Sequence, residues 1–160
     1  MTFGEGAHEV DLVGDRSEVF VAHYQPDGTL DWAKSAGGAD YDEGYGVSTC
    51  ANGSCVVTGR FLFTARFGEG ARTLHLSSDY GDDLFVARYD ADGSLAWAVS
   101  GGGPGSKIVI SVATFADDSC VLTGCFTEEA TFGEGAAATS LHSRGTVDIL
   151  VLRLNADGGF

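Results

Sequence analysis

Hydrophobic residues occur along the chain in short alternating runs, which are separated by turns rich in glycine and aspartate. Phe85, Ala87 and Tyr89 fall on one face of a period of two, which predicts a β-strand. Residues 90–93, with the sequence DADG, supply a turn, and residues 95–99 predict the next strand. The sequence carries no apolar residues at helical spacing, so we expect an all-β protein.

The segment that follows predicts two further strands. Residues 108–115 form one run and residues 120–123 the other, with a turn between them and with Gly124 interrupting the second. A long connection over residues 127–135 then leads into the next cycle. Each cycle therefore predicts four short strands joined by glycine-rich turns.

The pattern repeats along the whole chain. The stretch FVAHYQPDGTLDWA begins at Phe20, a close copy begins at Phe85 and a shorter copy begins at Leu150, so successive copies are 65 residues apart. The motif FGEGA also occurs three times at nearly the same spacing. We divide the chain, as a single domain of residues 1–160, into repeats at approximately 2–65, 66–130 and 131–160.

Four antiparallel strands per repeat with glycine-rich turns are typical of a β-propeller blade. In such a blade, residues 108–115 would be innermost, 120–123 second, 84–90 third and 95–100 outermost. The chain then holds about two blades plus overhanging strands: a third and fourth strand, a full blade, and a first, second and third strand. The positions that we expect to define the repeat are Phe20, Phe85, Leu150, Trp32, Trp97, Gly28, Gly93, Gly158, Gly59 and Gly124.

Composition narrows the range of partners. The formal net charge is −14, from 9 Lys and Arg against 23 Asp and Glu. Nucleic acids and anionic membrane surfaces are bound largely through Lys and Arg, so neither is an expected partner. The sequence shows no apolar run of membrane-spanning length and no secretion signal.

The sequence gives weaker signals for a chemical site than for the architecture. Asp27, Asp90, Asp92 and Asp157 lie in turns, and DADG resembles the start of a calcium loop, but no glutamate follows at the spacing that such a loop needs. We therefore predict turn residues there. The four histidines occupy different repeat positions without a metal-ligand spacing, so we expect neither metal nor cofactor.

An acid and a base flank the third strand of every copy. Because their spacing of five places them on opposite faces of the strand, we predict pairing between stacked blades and a structural role. The pairs are Glu18 with His23, Asp83 with Arg88, and Asp148 with Arg153.

Two further features invite a chemical interpretation. Cys50 and Cys55 flank a turn and could form a disulfide, but the second blade cannot repeat it, and we predict free, buried thiols. The stretch GGGPGSK, which ends at Lys107, departs from the phosphate-loop pattern and is followed by a strand. We predict that it is a turn between blades.

Four motifs carry a resemblance to a known family: DLFVARYD at residues 83–90 with Gly93, Leu95 and Trp97 after it, YGV at 45–47, VVTGRF at 56–61 and FG at 67–68. They resemble the bacterial seven-bladed β-propeller repeat family known as SBBP, although KIVI at 107–110 departs from its Tyr-Gly pattern. The strand order also resembles that of a WD-repeat blade, whose tryptophan position differs. The SBBP resemblance implies a propeller scaffold in an exported or cell-surface bacterial protein and no particular ligand.

These features together predict a non-catalytic scaffold or interaction module. Its expected partner is itself, as a homo-oligomer of about three or four chains that share blades, because the unpaired strand edges of a partial propeller seek partners. We also expect the chain to be a fragment or engineered excerpt of a longer array. The alternative is a carbohydrate- or peptide-binding module in which exposed aromatics stack on a ligand, with Tyr41, Tyr45 and Tyr80 as candidates.

Overall fold

Thirteen strands are built in the computed structural model, which describes residues 1–14, 17–133 and 135–160, with Tyr80 described by its backbone alone. The strands are β1 (Thr2–Phe3), β2 (Val10–Asp11), β3 (Val19–Tyr24), β4 (Leu30–Ala36), β5 (Glu43–Thr49), β6 (Cys55–Phe67), β7 (Leu74–Tyr89), β8 (Leu95–Gly101), β9 (Lys107–Thr114), β10 (Cys120–Phe126), β11 (Glu129–Phe132), β12 (Thr139–His142) and β13 (Asp148–Leu154). Three single-turn 3-10 helices cover Gly6–His8, Gly70–Arg72 and Gly135–Ala137. No described helix has the length and apolar character needed to cross a bilayer.

The strands form three blade-like antiparallel sheets. The full blade has four strands in the order β5-β6-β7-β8, the hairpin blade consists of β3 and β4, and the three-stranded blade has the order β13-β10-β9. The all-β prediction is therefore confirmed, as is the count of overhanging strands. The third strand of each cycle pairs with the second strand before it, so the strand at 84–90 joins β6 and the strand at 108–115 begins the next blade.

Two-stranded arms extend from the blades where the sequence predicts a plain connection. The end of β6 pairs with the start of β7, from Thr64 opposite Ser77 to Phe67 opposite Leu74. The pairs β1–β2 and β11–β12 are the same arm in the other repeats. Each arm turns through one of the 3-10 helices. Within the predicted connection at 127–135, residues Glu129–Phe132 thus form a strand.

Gly59 and Gly124 lie where the second strand of a blade passes close to the first. A Cβ on Gly59 would overlap the carbonyl oxygen of Glu43, and one on Gly124 would overlap that of Ile108. The strand register shifts at both places. The sequence predicts that Gly124 interrupts this strand, and that prediction is wrong. Strand β10 continues through the irregularity to Phe126. Glycine is required here for space.

The core is divided between two junctions. The first junction lies between the hairpin blade and the full blade, where Val19 and Val21 share a cluster with Phe85, Ala87 and Tyr89. The second junction lies between the full blade and the three-stranded blade, and its cluster includes Leu84, Val86, Val109, Leu122, Leu150 and Leu154. Blade stacking therefore creates most of the buried apolar surface, as expected when a single repeat cannot cover its own hydrophobic faces.

Candidate functional site: the junctions between blades

A tryptophan from each outermost strand reaches the next blade. Trp32 on β4 donates a hydrogen bond from Nε1 to the carbonyl oxygen of Ala91 at 2.9 Å, and Trp97 on β8 donates one to that of Ala156 at 3.0 Å. Both acceptors lie in the turn after the third strand of the following blade. The two tryptophans are half-buried, and each packs against the core cluster of its own junction.

A glycine lies under each indole ring. A Cβ on Gly93 would come within 2.7 Å of the Trp32 ring, and one on Gly158 within 2.9 Å of the Trp97 ring. Both glycines have positive φ, +79° and +87°. The conformation and the close approach each require glycine, so these turn positions serve as docking sites for the indole as well as turns.

The arms add a second contact across each junction. The backbones of Gly37 and Arg66 exchange two hydrogen bonds, of 3.0 and 2.9 Å, and those of Gly102 and Thr131 exchange two of 3.1 and 2.7 Å. The end of each outermost strand is thereby joined to the arm of the next blade. These contacts use only main-chain atoms, so both junctions form them although Arg66 and Thr131 carry different side chains.

The second junction contains a buried ion pair. Lys107 Nζ lies 3.6 Å from Asp83 Oδ1, and the side chains are 0% and 6% exposed. The ammonium group also donates to the carbonyl oxygens of Gly103, Pro104 and Gly105. Burial raises the pKa of Asp83 to about 6 and lowers that of Lys107. The GGGPGSK loop thus connects two blades, and its carbonyls surround its own lysine.

The first junction has an acid where the second has its lysine. Asp42 occupies the repeat position of Lys107, is 1% exposed, and accepts a hydrogen bond of 2.6 Å from the backbone N–H of Gly38. Burial raises the pKa of Asp42 to about 6, with a smaller contribution from the negative charge of Glu18. Glu18 in turn occupies the repeat position of Asp83. Two acids therefore face each other where the second junction has an acid and a base.

One of the three bases that follow the third strands, Arg88, contacts the neighbouring blade. Arg88 is 8% exposed and bonds Ser54 Oγ at 2.9 Å, Asp118 Oδ2 at 3.0 Å and the Ala156 carbonyl at 3.2 Å. Asp118 and Ala156 belong to the next blade, so Arg88 does pair across a junction, but with Asp118 and not with one of the repeated acids. Asp83 pairs with Lys107 instead. Arg153, which has no described blade beyond it, is 62% exposed and pairs with Asp117 at 3.3 Å.

A polar cluster that the sequence analysis missed lies where the innermost strand of the full blade begins. Arg60 donates to Glu43 Oε2 at 2.7 Å and to Asp82 Oδ2 at 2.9 Å, and the Tyr45 hydroxyl also donates to Glu43. The equivalent residues in the next repeat are Ile108, Ile110, Cys125 and Val147. Aligning the repeats would have marked these four positions as polar residues that replace apolar ones.

Other candidate residues fall outside this cluster. Tyr41 is 53% exposed and makes an interaction of its own, and the side chain of Tyr80 lies outside the described part of the chain. Cys50 and Cys55 are free thiols in different core clusters, and burial raises the pKa of Cys55 to about 11. Among the described residues, no group of three or more His, Cys, Asp or Glu is arranged to hold a metal ion.

The outer faces of the molecule are two halves of one junction. On the hairpin blade Phe20 and Tyr24 are 50% and 45% exposed, whereas the equivalent Phe85 and Tyr89 are buried in the first junction. On the three-stranded blade Ile149 is 82% exposed. Its equivalents Val19 and Leu84 are buried in the two junctions.

Comparison with known proteins gives two partial similarities. An uncharacterized WD repeat-containing protein, L264, of Acanthamoeba polyphaga mimivirus is 28% identical over 114 residues, or 68% of this chain. The regulatory protein FlaEY of Caulobacter vibrioides is 31% identical over 87 residues, or 54% of this chain. The aligned stretches make up only 8% and 9% of those proteins. No family model matches the chain. The first similarity suggests a β-propeller-like repeat, in agreement with the observed sheets.

Proposed function

We propose that this chain is a non-catalytic interaction module of the β-propeller type that assembles with further copies of itself by sharing blades. The observation that carries the proposal is the junction that occurs twice inside the chain and whose two halves are exposed again at its outer faces. The exposed residues at these outer faces have repeat equivalents that are buried in the internal junctions. Such faces are therefore suited to a partner of the same repeat. We also propose that the repeat is of the SBBP type, with its exported bacterial setting.

Blade sharing accounts for more of these features than simple stacking. If the hairpin blade of one copy supplied the third and fourth strands to β9 and β10 of another, Phe20 and Tyr24 would be buried against the other copy's full blade. In the present structure β13 is the third strand of this blade, and it pairs with β10 from Cys120 opposite Leu154 to Phe126 opposite Asp148. It would have to be displaced. Simple stacking would leave β3 without an inner neighbour. Sharing supplies two blades per chain, and known propellers have about four to eight blades. Three chains would give six blades and four would give eight, so rings of about three or four chains are expected.

The experiment is sedimentation velocity over a range of concentrations. We expect species three or four times the 16.6 kDa chain mass. Phe20→Glu should abolish them, because a charge would enter the shared junction. Ile149→Glu should leave them intact, since β13 is displaced from the shared blade. Val47→Glu is the matched control: this residue lies on innermost strand β5, is 64% exposed and belongs to neither outer face.

Two results would contradict the proposal. A monomer at every concentration would show that the outer faces do not recognise another copy. Loss of assembly in Ile149→Glu would show that the copies stack face to face instead of exchanging strands.

A second function, binding of a carbohydrate or peptide, is favoured by the unrepeated cluster of Glu43, Tyr45, Arg60 and Asp82. A charged, planar guanidinium beside a Tyr ring that is 43% exposed offers both hydrogen bonding and stacking to a polar ligand. Glycan-array and peptide-library screening would test it. Binding should be lost in Arg60→Met and retained in Lys34→Met, which removes a cation elsewhere. Equal binding by both variants, or by neither of them nor the native chain, would exclude this site.

A further inference from the structure

The chain contains a third copy of the turn that accepts a tryptophan. In all three copies the residue that opens the turn donates to the carbonyl four residues on, at 2.8 Å: Gln25 to Thr29, Asp90 to Ser94 and Asn155 to Gly159. The glycine has the same positive φ in each, +88° at Gly28, +79° at Gly93 and +87° at Gly158. The Gly28 turn therefore already has the shape that holds an indole in the other two.

The difference is that the Gly28 turn is open. A Cβ there would meet nothing within 4 Å, whereas Gly93 and Gly158 each lie against an indole ring. An open cleft of 380 Å³ lies over this turn, lined by Gly4, Glu5, His8, Asp27 and Thr29 among others. The repeat equivalents of these residues line a space of only 160 Å³ at Gly93, because β4 with Trp32 already packs there.

We propose that the cleft at Gly28 binds Trp97 of a second copy, and that residues 148–160 of that copy are the internal competitor that must leave first. This proposal rests on blade sharing, the proposed function, and names the contact that it would make. In the exchange β3 takes the place of β13 on β10, and the carbonyl of Pro26 takes the place of that of Ala156. The Gly28 turn then lies under Trp97 as the Gly158 turn does now.

Trp97 is the suitable donor because its present acceptor is held at few points. Within the described part of the chain, strand β13 pairs along one edge only, with β10, and its residues Ile149 and Val151 are 82% and 61% exposed. Trp32, in contrast, docks on the Gly93 turn, which joins β7 and β8 of the four-stranded blade. Partner choice follows from this difference in how the two acceptors are anchored.

The incoming strand also fits the junction that it would enter. Its inward residues are Phe20, Ala22 and Tyr24, the same three residue types that β7 presents in the first junction as Phe85, Ala87 and Tyr89. Strand β13 presents leucine at all three positions instead, as Leu150, Leu152 and Leu154. The partner strand therefore repeats a packing pattern already realised within the chain.

The test uses four glycine-to-asparagine variants of the full chain, followed by sedimentation velocity. Asparagine tolerates positive φ, so the substitution mainly adds the Cβ that meets the indole. Gly158→Asn obstructs the internal acceptor and should raise the association constant about tenfold. Gly28→Asn obstructs the external acceptor and should abolish association, alone or combined with Gly158→Asn.

Two variants serve as controls. Gly93→Asn obstructs Trp32 within the first junction and should lower stability without raising association. Gly70→Asn places asparagine at a positive φ of +57° with nothing within 4 Å of the added Cβ, and it should change neither.

The outcomes separate the two proposals. Association that survives Gly28→Asn unchanged would overturn the tryptophan exchange and leave blade sharing standing. A monomer in the native chain and in Gly158→Asn at all concentrations would overturn both. Association of the native chain that strengthens in Gly158→Asn, and that is lost when Gly28→Asn is added, would support both.

Discussion

The first and second junctions of this chain share one frame and differ at its polar centre. Each has a tryptophan docked on a turn carbonyl and a two-bond backbone bridge from a strand end to an arm. The first places Asp42 where the second places Lys107. The same backbone geometry and apolar packing therefore stack both pairs of blades, and we expect the polar positions to set how stability depends on charge and pH.

The buried charges at the two junctions should affect the free energy of unfolding in opposite directions. In the second, Lys107 and Asp83 compensate each other's burial, so removing either leaves a buried charge without its partner. In the first, Asp42 is buried beside a second acid, so ionisation of Asp42 works against folding. Substitutions at equivalent positions should therefore have opposite effects.

The largest effect is expected for Lys107→Met. The change keeps much of the side-chain volume but strands the Asp83 carboxylate, and it should cost about 3–5 kcal/mol at pH 7 in urea unfolding. Part of that loss should be recovered near pH 5, where Asp83 can take up a proton. Lys34→Met is the control, because its partner Glu69 is 60% exposed and such surface pairs contribute under about 1 kcal/mol. Equal losses in the two variants would show that the Lys107 pair is not the centre of its junction.

Much of this architecture is predictable from sequence because it is periodic. The spacing of 65 residues and the alternation in each copy give the strand count and mark Trp32 and Trp97 as equivalent. The hydrogen-bond acceptors of those tryptophans are the main-chain carbonyls of Ala91 and Ala156. A pattern of side chains does not predict such acceptors. The arms were also missed, since short strands around a glycine-rich turn have the composition of a connection.

The polar cluster was missed for a different reason. Glu43, Arg60 and Asp82 are distant in sequence, and only strand pairing between β5, β6 and β7 brings them together. The unrepeated residue types were visible, but their convergence is a property of register.

The second largest effect is expected for the two tryptophans, which test whether the frame is shared. Trp32→Ala and Trp97→Ala should each cost about 2–4 kcal/mol, because each loses a half-buried ring and a hydrogen bond to a turn carbonyl. The two losses should agree within about 1 kcal/mol if the docking energy is the same. Thermal or urea unfolding measures both. A near-neutral result at one site alone would mean that the junctions are held differently.

A smaller effect with the opposite sign is expected for Asp42→Asn. The folded pKa of Asp42 is raised to about 6 from 3.8, so the folded state binds more protons between those pH values and loses stability as pH rises through them. Removing the charge should stabilise the protein by about 1–2 kcal/mol at pH 7 and leave it nearly unchanged at pH 4. The measurement is the free energy of unfolding against pH.

Asp83→Asn is the matched control for that experiment. Asp83 has a similarly raised pKa of about 6, but its charge is opposite Lys107, so neutralising it should destabilise the protein at pH 7. Stabilisation by both variants would show that the lysine does not compensate the buried acid, and the contrast between the junctions would then be lost.

The smallest effect concerns the bases at the rim, Arg88 in the second junction and His23 in the first. Arg88 is nearly buried and bonds both its own blade and the turns of the next, whereas His23 is 41% exposed and pairs locally with Asp31 at 3.0 Å.

Arg88→Met keeps the aliphatic stem but loses these bonds, and it should cost about 1 kcal/mol, since Asp118 can rehydrate. His23→Met should change the unfolding free energy by less than about 0.5 kcal/mol, as exposed pairs contribute little. Hydrogen exchange at the amides of residues 115–119 and 155–159 would locate the effect: faster exchange in Arg88→Met alone is expected, because Arg88 bonds both turns from the full blade, whereas His23 pairs within its own hairpin. Unchanged exchange there, or an equal loss of stability in His23→Met, would show that the rim bases do not distinguish the junctions and that their centres alone do.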